Sequence, residues 1–510
     1  MTQTASVRSP SLNAVLPAMS GWALAVLLTA MFMGQFDFFV VNVAAPSLRA
    51  DLHASDGALQ LIVGGYAFAY AAGLITGGRL GDLFGYRRLF VIGMIGFALA
   101  SLLCSFATTP GQLVAARLAQ GFAAAAMLPQ VLALITATVP TPARPRAIGW
   151  YGVAAGLGSI AGQVLGGALI TADLAGLGWR AIFLVNVPVG AVAAILAWRM
   201  LPTLPPRQRP SVDLIGAIGA ATAVAAMLIP LTIGSSEGWP PWSWACMAAA
   251  IPLAAATWRW QQHLTGCGRT PLLDVTLLHT RTFRAGLLAN TAFMCYFGSF
   301  MFTLTMLLQA GLGLDAFRAG LVFAPAGVTF SLGALAGRPL LSRYGRYPVL
   351  AGSLLTAASL ALLALSLHAA GPHISLAWIV LPTALASLGN GIVLPSLIGA
   401  ALVDVAPERA GLAAGALNTA QQFASAAGVA IIGALFFTAI HASHDPKGYP
   451  VGMTWAASAD TALVLLVAAF LQLSARGARM HSHSAHRLSE RTSGPGSPNH
   501  EHSHQNRHAK

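Results

Sequence analysis

One charged stretch between two apolar runs decides how this chain is organised: residues 77–90 read GGRLGDLFGYRRLF. The flanking runs, 58–76 and 89–107, are each long enough to cross a lipid bilayer. Glycines let two helix ends approach closely, an acid suits the N-terminus of a neighbouring helix, and arginines stay on the wet side. The sequence therefore predicts a short charged hairpin that joins two membrane-spanning helices.

The composition extends this interpretation to the whole chain. Of the 510 residues, 56% are hydrophobic and only 8% are charged, and the mean hydropathy is +0.70. A soluble core with a polar surface cannot be built from such a chain. The net charge of +13 could indicate a nucleic-acid partner, but the arginines lie in short loops between apolar runs. We therefore predict an all-α polytopic protein whose partner is the lipid bilayer, with no nucleic-acid partner.

The apolar runs also predict the topology. Between residues 22 and 475 they number about fourteen, each long enough for a membrane helix. An even number places both termini on one side, and most of the 28 Lys and Arg residues lie in loops on that side. The positive-inside rule makes this side cytoplasmic. We expect a multi-pass protein of the cell (inner or plasma) membrane with both termini in the cytoplasm.

An internal repeat divides the chain. Residues 337–346 read GRPLLSRYGR, which keeps the glycine-arginine start of the opening stretch and lacks its acid. Such a repeat predicts two six-helix halves. The predicted division is an N-terminus at 1–21, an N-terminal bundle at 22–201, a linker with two inserted membrane helices at 202–282, a C-terminal bundle at 283–475, and a His-rich cytoplasmic tail at 476–510. Low apolar content predicts that this tail is disordered.

The sequence predicts neither a metal site nor a cofactor. The four cysteines, Cys104, Cys246, Cys267 and Cys295, show no paired spacing, and the histidines of the tail lack ordered metal-binding spacing. Lysine occurs only at Lys447 and Lys510, neither within a phosphate-binding Gly-x-x-x-x-Gly-Lys-Ser/Thr loop. The sequence therefore predicts no nucleotide-binding loop of this kind.

Two charged residues inside predicted spans stand out. Asp37 is deep in the first span, where an ionised carboxylate costs about 3 kcal/mol and needs a partner, water or a proton. It is therefore a candidate proton carrier, the alternative being a structural acid that caps or bridges helices. Arg117 should face the bundle interior and contact an acid or carbonyl groups, the alternative being a side chain that snorkels to the interface.

Other patterns predict packing and substrate contacts. Gly158, Gly162 and Gly166, with Gly167 beside them, are spaced four apart on one helix face and predict close helix contact. Amides and aromatic side chains predict a wall for an organic substrate, although helix-to-helix hydrogen bonding or simple packing explains them as well. The substrate-binding candidates are Gln35, Phe36, Asn42, Tyr66, Tyr296, Asn390, Asn418 and Gln421.

Residues 78–88 resemble, nearly position for position, the signature loop after the second helix of major facilitator superfamily transporters. The matching residues, which the resemblance implies form a conformational-switch loop, are Gly78, Arg79, Gly81, Asp82, Gly85, Arg87 and Arg88. The twelve-plus-two plan resembles the fourteen-spanner drug:proton antiporters of the superfamily. The resemblance covers nearly the whole chain to about residue 475 and implies a major facilitator fold of two six-helix bundles, two inserted helices and 14 transmembrane helices.

Shorter motifs extend the resemblance to single helices. Asp37, Asn42 and Pro46 match the first-helix motif of the drug antiporters. Arg117, followed by Gly121 and Pro129, resembles the fourth-helix motif, in which the arginine is tied to proton transfer. The glycine-rich fifth span resembles the antiporter motif associated with export, although Gln163 replaces the proline that usually follows glycine there. We therefore predict that Asp37 and Arg117 communicate in proton coupling.

The resemblance implies a proton-coupled exporter of amphipathic or hydrophobic small molecules, such as drugs, antibiotics and dyes, that works by alternating access. A transporter of one specific metabolite on the same fold would share nearly every feature. A membrane-embedded enzyme would need a nucleophile with a base, or a metal cluster, within the spans, and neither pattern is found there. We expect a monomer, with a periplasmic adaptor protein as a partner if the chain comes from a double-membrane bacterium.

Overall fold

The computed structural model describes residues 20–140, 142–204, 213–234, 237–269, 271–272, 275–345, 347–405, 410–443 and 448–492. The first half of this described chain contains six long helices. They are α1 Gly21–Leu52, α2 Asp56–Phe84, α3 Tyr86–Ser105, α4 Pro110–Thr138, α5 Arg144–Ala172 and α6 Arg180–Met200, which is interrupted at Val185.

Eight further helices follow within the described ranges. They are α7 Leu214–Ile233, α8 Pro241–Gly266, α9 Arg281–Met306, α10 Ala316–Tyr344, α11 Tyr347–Ala370, α12 Ala377–Leu402, α13 Ala410–Ala442 and α14 Tyr449–Thr492. Thirteen of the helices are long and apolar enough to cross a membrane. The remaining one, α8, has 26 residues but is less apolar. The predicted fold class, an all-helical polytopic protein, is confirmed.

The packing of the helices repeats between the halves. In the first half, α1 packs along α5, α2 along α4, and α3 against both α4 and α6. In the second half, α9 packs along α13, α10 along α12, and α11 against both α12 and α14. The second set follows from the first when each helix number is raised by eight. This internal symmetry supports the predicted division into two bundles, whose exact boundaries stay a prediction.

Two helix pairs make the largest contacts between the halves. Helix α2 packs against α13, and α5 packs against α10, which are equivalent contacts under the repeat. The inserted helices α7 and α8 pack on each other, and α7 also contacts α2 and α13. The inserted pair therefore lies beside one of these two contacts.

The halves are in contact at the end of the bundle where α1 leads into α2. Gln309, which follows α9, donates from Nε2 to the carbonyl oxygen of Val43 in α1 at 2.7 Å. The backbone N–H of Phe317 in α10 donates to the Thr171 hydroxyl of α5 at 3.1 Å. Towards the opposite end, open space surrounds the α5 glycines Gly149, Gly152 and Gly156. Helix α5 therefore contacts the second half at one end of the bundle and has open space beside it at the other.

The charged stretch at 77–90 is helical, so the predicted hairpin is wrong in its extent. Helix α2 continues to Phe84 and α3 begins at Tyr86, which leaves Gly85 as the turn. Gly85 has φ 91°, in a region that glycine adopts readily because it lacks a Cβ atom. Because this end of α2 packs along α4, continuing the helix keeps its backbone groups paired where a loop would leave them without partners.

The predicted disorder of the tail is also corrected in part. The backbone of α14 continues to Thr492, so residues 476–492 are helical. Extending an existing helix avoids the unfavourable nucleation step that an isolated polar segment would face. Residues 1–19 and 493–510, most of the predicted N-terminus and the rest of the tail, lie outside the described residues.

Candidate functional site

A buried ion pair lies inside the first half. Helix α1 places Asp37 in the interior with none of its surface exposed, and Arg117 of α4, equally buried, forms an ion pair with it. Gln120 Nε2 donates to Asp37 Oδ1 at 2.7 Å, and Asn186 Nδ2 of α6 donates to the same oxygen at 3.2 Å. A buried carboxylate needs such a set of charged and neutral donors, because burial removes its water.

Arg117 is held from several sides. Its Nε donates to the carbonyl oxygen of Ile62 in α2 at 3.3 Å, and Nη1 donates to Gln120 Oε1 at 2.7 Å. The guanidinium carbon lies 4.7 Å from the centre of the Tyr66 ring, a distance at which a cation is attracted to the ring face. The alternative in which Arg117 snorkels to the interface is wrong, since the side chain has no exposed surface.

Three members of this network were missed by the sequence analysis. Gln120 bridges Asp37 to the Ser101 hydroxyl of α3, to which its Nε2 donates at 2.8 Å. Asn186 lies in α6, directly after the interruption at Val185. One signal could have found Gln120: it follows Arg117 by three residues and so shares its helix face. Ser101 and Asn186 had no comparable signal.

The predicted glycine motif brings α5 close to α1. A Cβ atom at Gly162 would lie 3.0 Å from the Phe39 Cβ, which is tighter than ordinary van der Waals contact. Gly158 and Gly166 also face α1, whereas Gly167 faces the start of α10. The motif thus packs α5 against the helix that carries Asp37 on one side and against the second half on the other.

Arg79 of the conformational-switch loop is placed differently from the prediction. Only 8% of it is exposed, and its Nη2 donates to the carbonyl oxygen of Pro271 at 2.6 Å. Pro271 lies between α8 and α9, so Arg79 connects the end of α2 to the segment that leads into the second half. The expectation that the loop arginines stay in water is wrong for Arg79, while Arg88 is exposed as expected.

The neighbouring carboxylate of Asp213 organises the same segment. It caps α7 through the Gly216 backbone N–H at 2.8 Å and accepts from Trp260 at 2.9 Å and Gln261 at 2.7 Å, both in α8. The backbone N–H of Leu272 donates to it at 3.3 Å. Partial burial pushes the pKa of Asp213 upward, but the hydrogen bonds from Trp260, Gly216, Gln261 and Leu272 outweigh it and hold the pKa below its ordinary value. Asp213 therefore ties both inserted helices to the segment that Arg79 contacts.

The remaining loop residues join α2 to its neighbours. The Asp82 carboxylate accepts a hydrogen bond from the Tyr86 hydroxyl, so it meets the start of α3 through a side chain. Arg87 donates from Nη1 to the Leu201 carbonyl oxygen at 3.2 Å, just after α6. The glycines Gly78 and Gly81 lie within α2, where a Cβ atom at Gly81 would overlap Gln130 of α4.

The predicted substrate residues do not form one open site in this conformation. Phe36, Tyr66 and Tyr296 are buried. The Tyr66 hydroxyl donates to the Gly34 carbonyl oxygen at 3.4 Å, and the Tyr296 hydroxyl accepts from Asn390 Nδ2 at 2.8 Å. In this state their polar groups make contacts between helices, as the packing alternative predicts.

The other substrate-binding candidates do not form one open site either. Gln421 Nε2 donates to Asn290 Oδ1 at 3.1 Å, and Asn42 Nδ2 donates to the Phe38 carbonyl oxygen of its own helix at 3.3 Å. Gln35 is half-buried and Asn418 is exposed. Their role in substrate binding stays a prediction. Among the described residues, no group of three or more His, Cys, Asp or Glu side chains is arranged to hold a metal ion.

Two six-helix halves that meet at one end of a membrane bundle, with an ion pair buried in one half, define a secondary transporter. A sequence profile of the Major Facilitator Superfamily matches residues 27–429. The chain belongs to that superfamily.

Curated relatives agree with this assignment. The chain is 37% identical to the probable actinorhodin transporter of Streptomyces coelicolor over 81% of this chain and 72% of the relative. It is 34% identical to the puromycin resistance protein pur8 of Streptomyces alboniger over 81% of this chain and 80% of the relative. It is 33% identical to the cephamycin export protein CmcT of Amycolatopsis lactamdurans over 80% and 84%.

Solved structures share the fold at low sequence identity. A bacterial homolog of the human lysosomal transporter Spinster, in an inward-facing and occupied conformation, superposes with a TM-score of 0.65 at 16% identity, covering 89% of this chain and 96% of that one. A D-xylose-proton symporter gives a TM-score of 0.60 at 15% identity, covering 88% and 96%. At these identities the likeness concerns the fold alone.

Proposed function

We propose that this chain exports amphipathic or hydrophobic small molecules, antibiotics among them, in exchange for protons that enter the cell. The observation that carries the proposal is the buried ion pair of Asp37 and Arg117, which links a titratable group to a permanent cation inside the first half. The names of the curated relatives, a transporter, a resistance protein and an export protein, support the export of antibiotics.

The proposed coupling starts from the conformation described above. The excess of Lys and Arg on one side makes the open end of α5 cytoplasmic, with both termini on that side. Here Asp37 is held as a carboxylate by Arg117, and substrate enters between the halves from the cytoplasm. After the bundle opens outward, a proton from outside neutralises Asp37 and weakens its hold on Arg117. Return to the first state re-forms the ion pair and expels the proton inward.

The energy available matches this cycle. One unit charge that crosses a membrane potential of about 100 mV yields about 2.3 kcal/mol, and a pH gradient adds to it. The small-residue face of α5 gives a route for the movement, because glycines without side chains let α5 shift along α1 with few rotamer changes. Arg79, held by Pro271, would then carry movement of α2 to the inserted helices.

The test is substrate-induced proton release from inverted membrane vesicles under an imposed pH gradient, with puromycin and ethidium as probes. We expect Asp37→Asn to lower the release at least tenfold, because the amide keeps the shape of the side chain but binds no proton. Asp173→Asn, a change to an exposed acid after α5, serves as the matched control and should leave release unchanged.

Release by Asp37→Asn equal to that of the wild type would overturn Asp37 as the carrier. The range of transported compounds distinguishes an exporter of many amphipathic molecules from a transporter of one specific metabolite. Resistance of overproducing cells to several unrelated antibiotics and dyes supports the exporter, whereas indifference to the whole panel supports a transporter of one specific metabolite. The monomeric state and the absence of a cofactor stay predictions. A periplasmic adaptor protein as a partner also stays a prediction.

A further inference from the structure

The second half contains a buried acid that the sequence analysis did not single out. Asp460 lies in α14 with none of its surface exposed. Its Oδ1 accepts a hydrogen bond from the Ser299 hydroxyl of α9 at 2.7 Å, while Oδ2 has no hydrogen-bond partner within the described chain. The substrate candidates of this half are amides and an aromatic residue, none of which carries a charge, so Asp460 differs from them in kind.

No cation of the described chain pairs with Asp460. Helix α14 packs against α9, α11 and α13. On α9, the Cys295 thiol and the Tyr296 hydroxyl are close enough to interact with it electrostatically. The other titratable or charged groups on the elements packed against α14 lie near helix ends: Arg281 and Arg284 of α9, Tyr347 and His368 of α11, His373 of the turn after α11, and His441 of α13.

This environment decides the protonation state. An ionised carboxylate buried without a cation loses far more hydration energy than one hydroxyl donor returns, so the neutral acid is the stable form. Asp37 differs, because a guanidinium and two amides surround it. Asp37 therefore has a counter-ion that favours its ionised form, whereas Asp460 has none among the described residues.

The internal repeat relates the two acids. Asp460 on α14 bonds Ser299 on α9, and the equivalent helices of the first half, α6 and α1, are joined by Asn186 and Asp37. In both halves an acid and a neutral donor therefore link this pair of helices. The acid lies on α1 in the first half and on α14, the equivalent of α6, in the second. Each carboxyl consequently lies in the interior of its own bundle.

A polar chain continues from this point through the second half. Tyr296, one turn before Ser299, accepts from Asn390 of α12 at 2.8 Å. Asn390 Oδ1 in turn accepts from the Thr356 hydroxyl of α11 at 3.2 Å. Helices α9, α11, α12 and α14 are the repeat equivalents of α1, α3, α4 and α6, so both halves carry a buried polar cluster at equivalent helices. The first-half cluster consists of Asp37, Ser101, Arg117, Gln120 and Asn186.

We propose that Asp460 is a second proton-binding site of the transporter, occupied by a proton when the outer end of the bundle is closed. The use of that proton in transport rests on the proposed function. Binding forms an O–H bond on a carboxylate oxygen of Asp460 with a proton taken from water, and release returns the proton to water while the Ser299 hydroxyl continues to donate to the carboxylate. No other reactant takes part.

The test is infrared spectroscopy of the full-length protein in lipid vesicles near neutral pH, which detects the carbonyl stretch of a protonated carboxylic acid. We expect the wild type to show this band, Asp460→Asn to lose it, and Asp37→Asn to retain it. Ser299→Ala, which keeps the acid and removes its hydrogen bond, should retain the band at a shifted frequency. This second variant carries the test if Asp460→Asn does not fold.

A band that persists unchanged in Asp460→Asn, or one that Ser299→Ala does not shift, would overturn the proposal. The measurement needs no transported substrate, so its outcome is separate from that of the vesicle assay. If Asp460→Asn loses the band and the wild type shows no proton-coupled export, the proposed function is overturned but the binding site at Asp460 stands. Proton release that depends on Asp37, together with an infrared band that Asp460→Asn leaves unchanged, keeps the proposed function and overturns the binding site.

Discussion

The two halves of this transporter have the same helix packing but different charge chemistry in their interiors. In the first half, Asp37 is neutralised by Arg117 and bonded by Gln120 and Asn186. In the second half, Asp460 has the Ser299 hydroxyl as its donor. Equivalent helices thus enclose a salt bridge in one bundle and, in the other, an acid that has no cation partner among the described residues.

This contrast shows that the repeat preserves the helical frame and leaves the chemistry of the interior free to vary. A buried carboxylate beside a guanidinium is stabilised in its charged form, whereas a buried acid without a cation is stabilised by binding a proton. Substitutions in the two halves should therefore have unequal costs, and the sizes of those costs test the comparison.

The largest effect is expected from removing one partner of the ion pair. Asp37→Ala leaves the Arg117 guanidinium buried without its counter-ion, and arginine cannot lose its proton, so we expect a loss of about 3–5 kcal/mol in the free energy of unfolding. Arg117→Ala should cost less, because Asp37 can then bind a proton. Denaturation by sodium dodecyl sulfate in mixed micelles measures both. Equal costs for the two variants would show that an unpaired buried charge is not the main source of the loss.

An intermediate effect is expected where glycines bring equivalent helices together. Gly162 packs α5 on α1 in the first half, and Gly428 packs α13 on the Cys295 backbone of α9 in the second. Valine at either position should cost about 1–3 kcal/mol, because the neighbouring helix must move away.

Gly156→Val on the same α5 is the matched control, since open space surrounds that position. The same denaturation assay should find it close to the wild type. A cost at Gly162 but none at Gly428 would break the structural equivalence of the halves at this contact.

A smaller effect is expected from removing the acid of the second half. Asp460→Leu gives up the hydrogen bond from Ser299 but leaves no buried charge behind, so the free energy of unfolding should change by about 1 kcal/mol or less. The contrast with Asp37→Ala, measured side by side, is the sharpest check of the comparison. A loss at Asp460 as large as that at Asp37 would indicate a cation partner in the folded protein.

The smallest effect is expected between the halves, at Asp213. Hydrogen bonds to this carboxylate hold its pKa below the ordinary value of 3.8, so it stabilises the fold at neutral pH. That contribution is complete above the ordinary pKa and is lost as the pH falls through the lower folded value. We expect Asp213→Asn to lower the melting temperature slightly at pH 7 and to match the wild type in strong acid. A difference that persists in strong acid would show that ionisation is not the source.

Much of the fold could be predicted from the sequence because it depends on local properties. The length of an apolar run decides whether a segment spans the bilayer, and the echo of residues 78–88 at 337–346 marks the second half. Asp37 and Arg117 stood out for the same reason, since a charge inside an apolar run is visible without any knowledge of its neighbours. The predicted turn failed because hydropathy does not distinguish the polar end of a helix from a loop.

Which side chains meet depends on the tertiary structure. Asp37 and Arg117 are 80 positions apart, and Asp460 and Ser299 are 161 apart. Whether such residues touch depends on how each helix is rotated about its axis and how far it is shifted against its neighbours. Those two quantities are set by close packing between helices, as at Gly162 against Phe39, and no single span contains them. The position of a charge within an apolar run is therefore a property of the chain alone, whereas the partner of that charge is a property of the packed bundle.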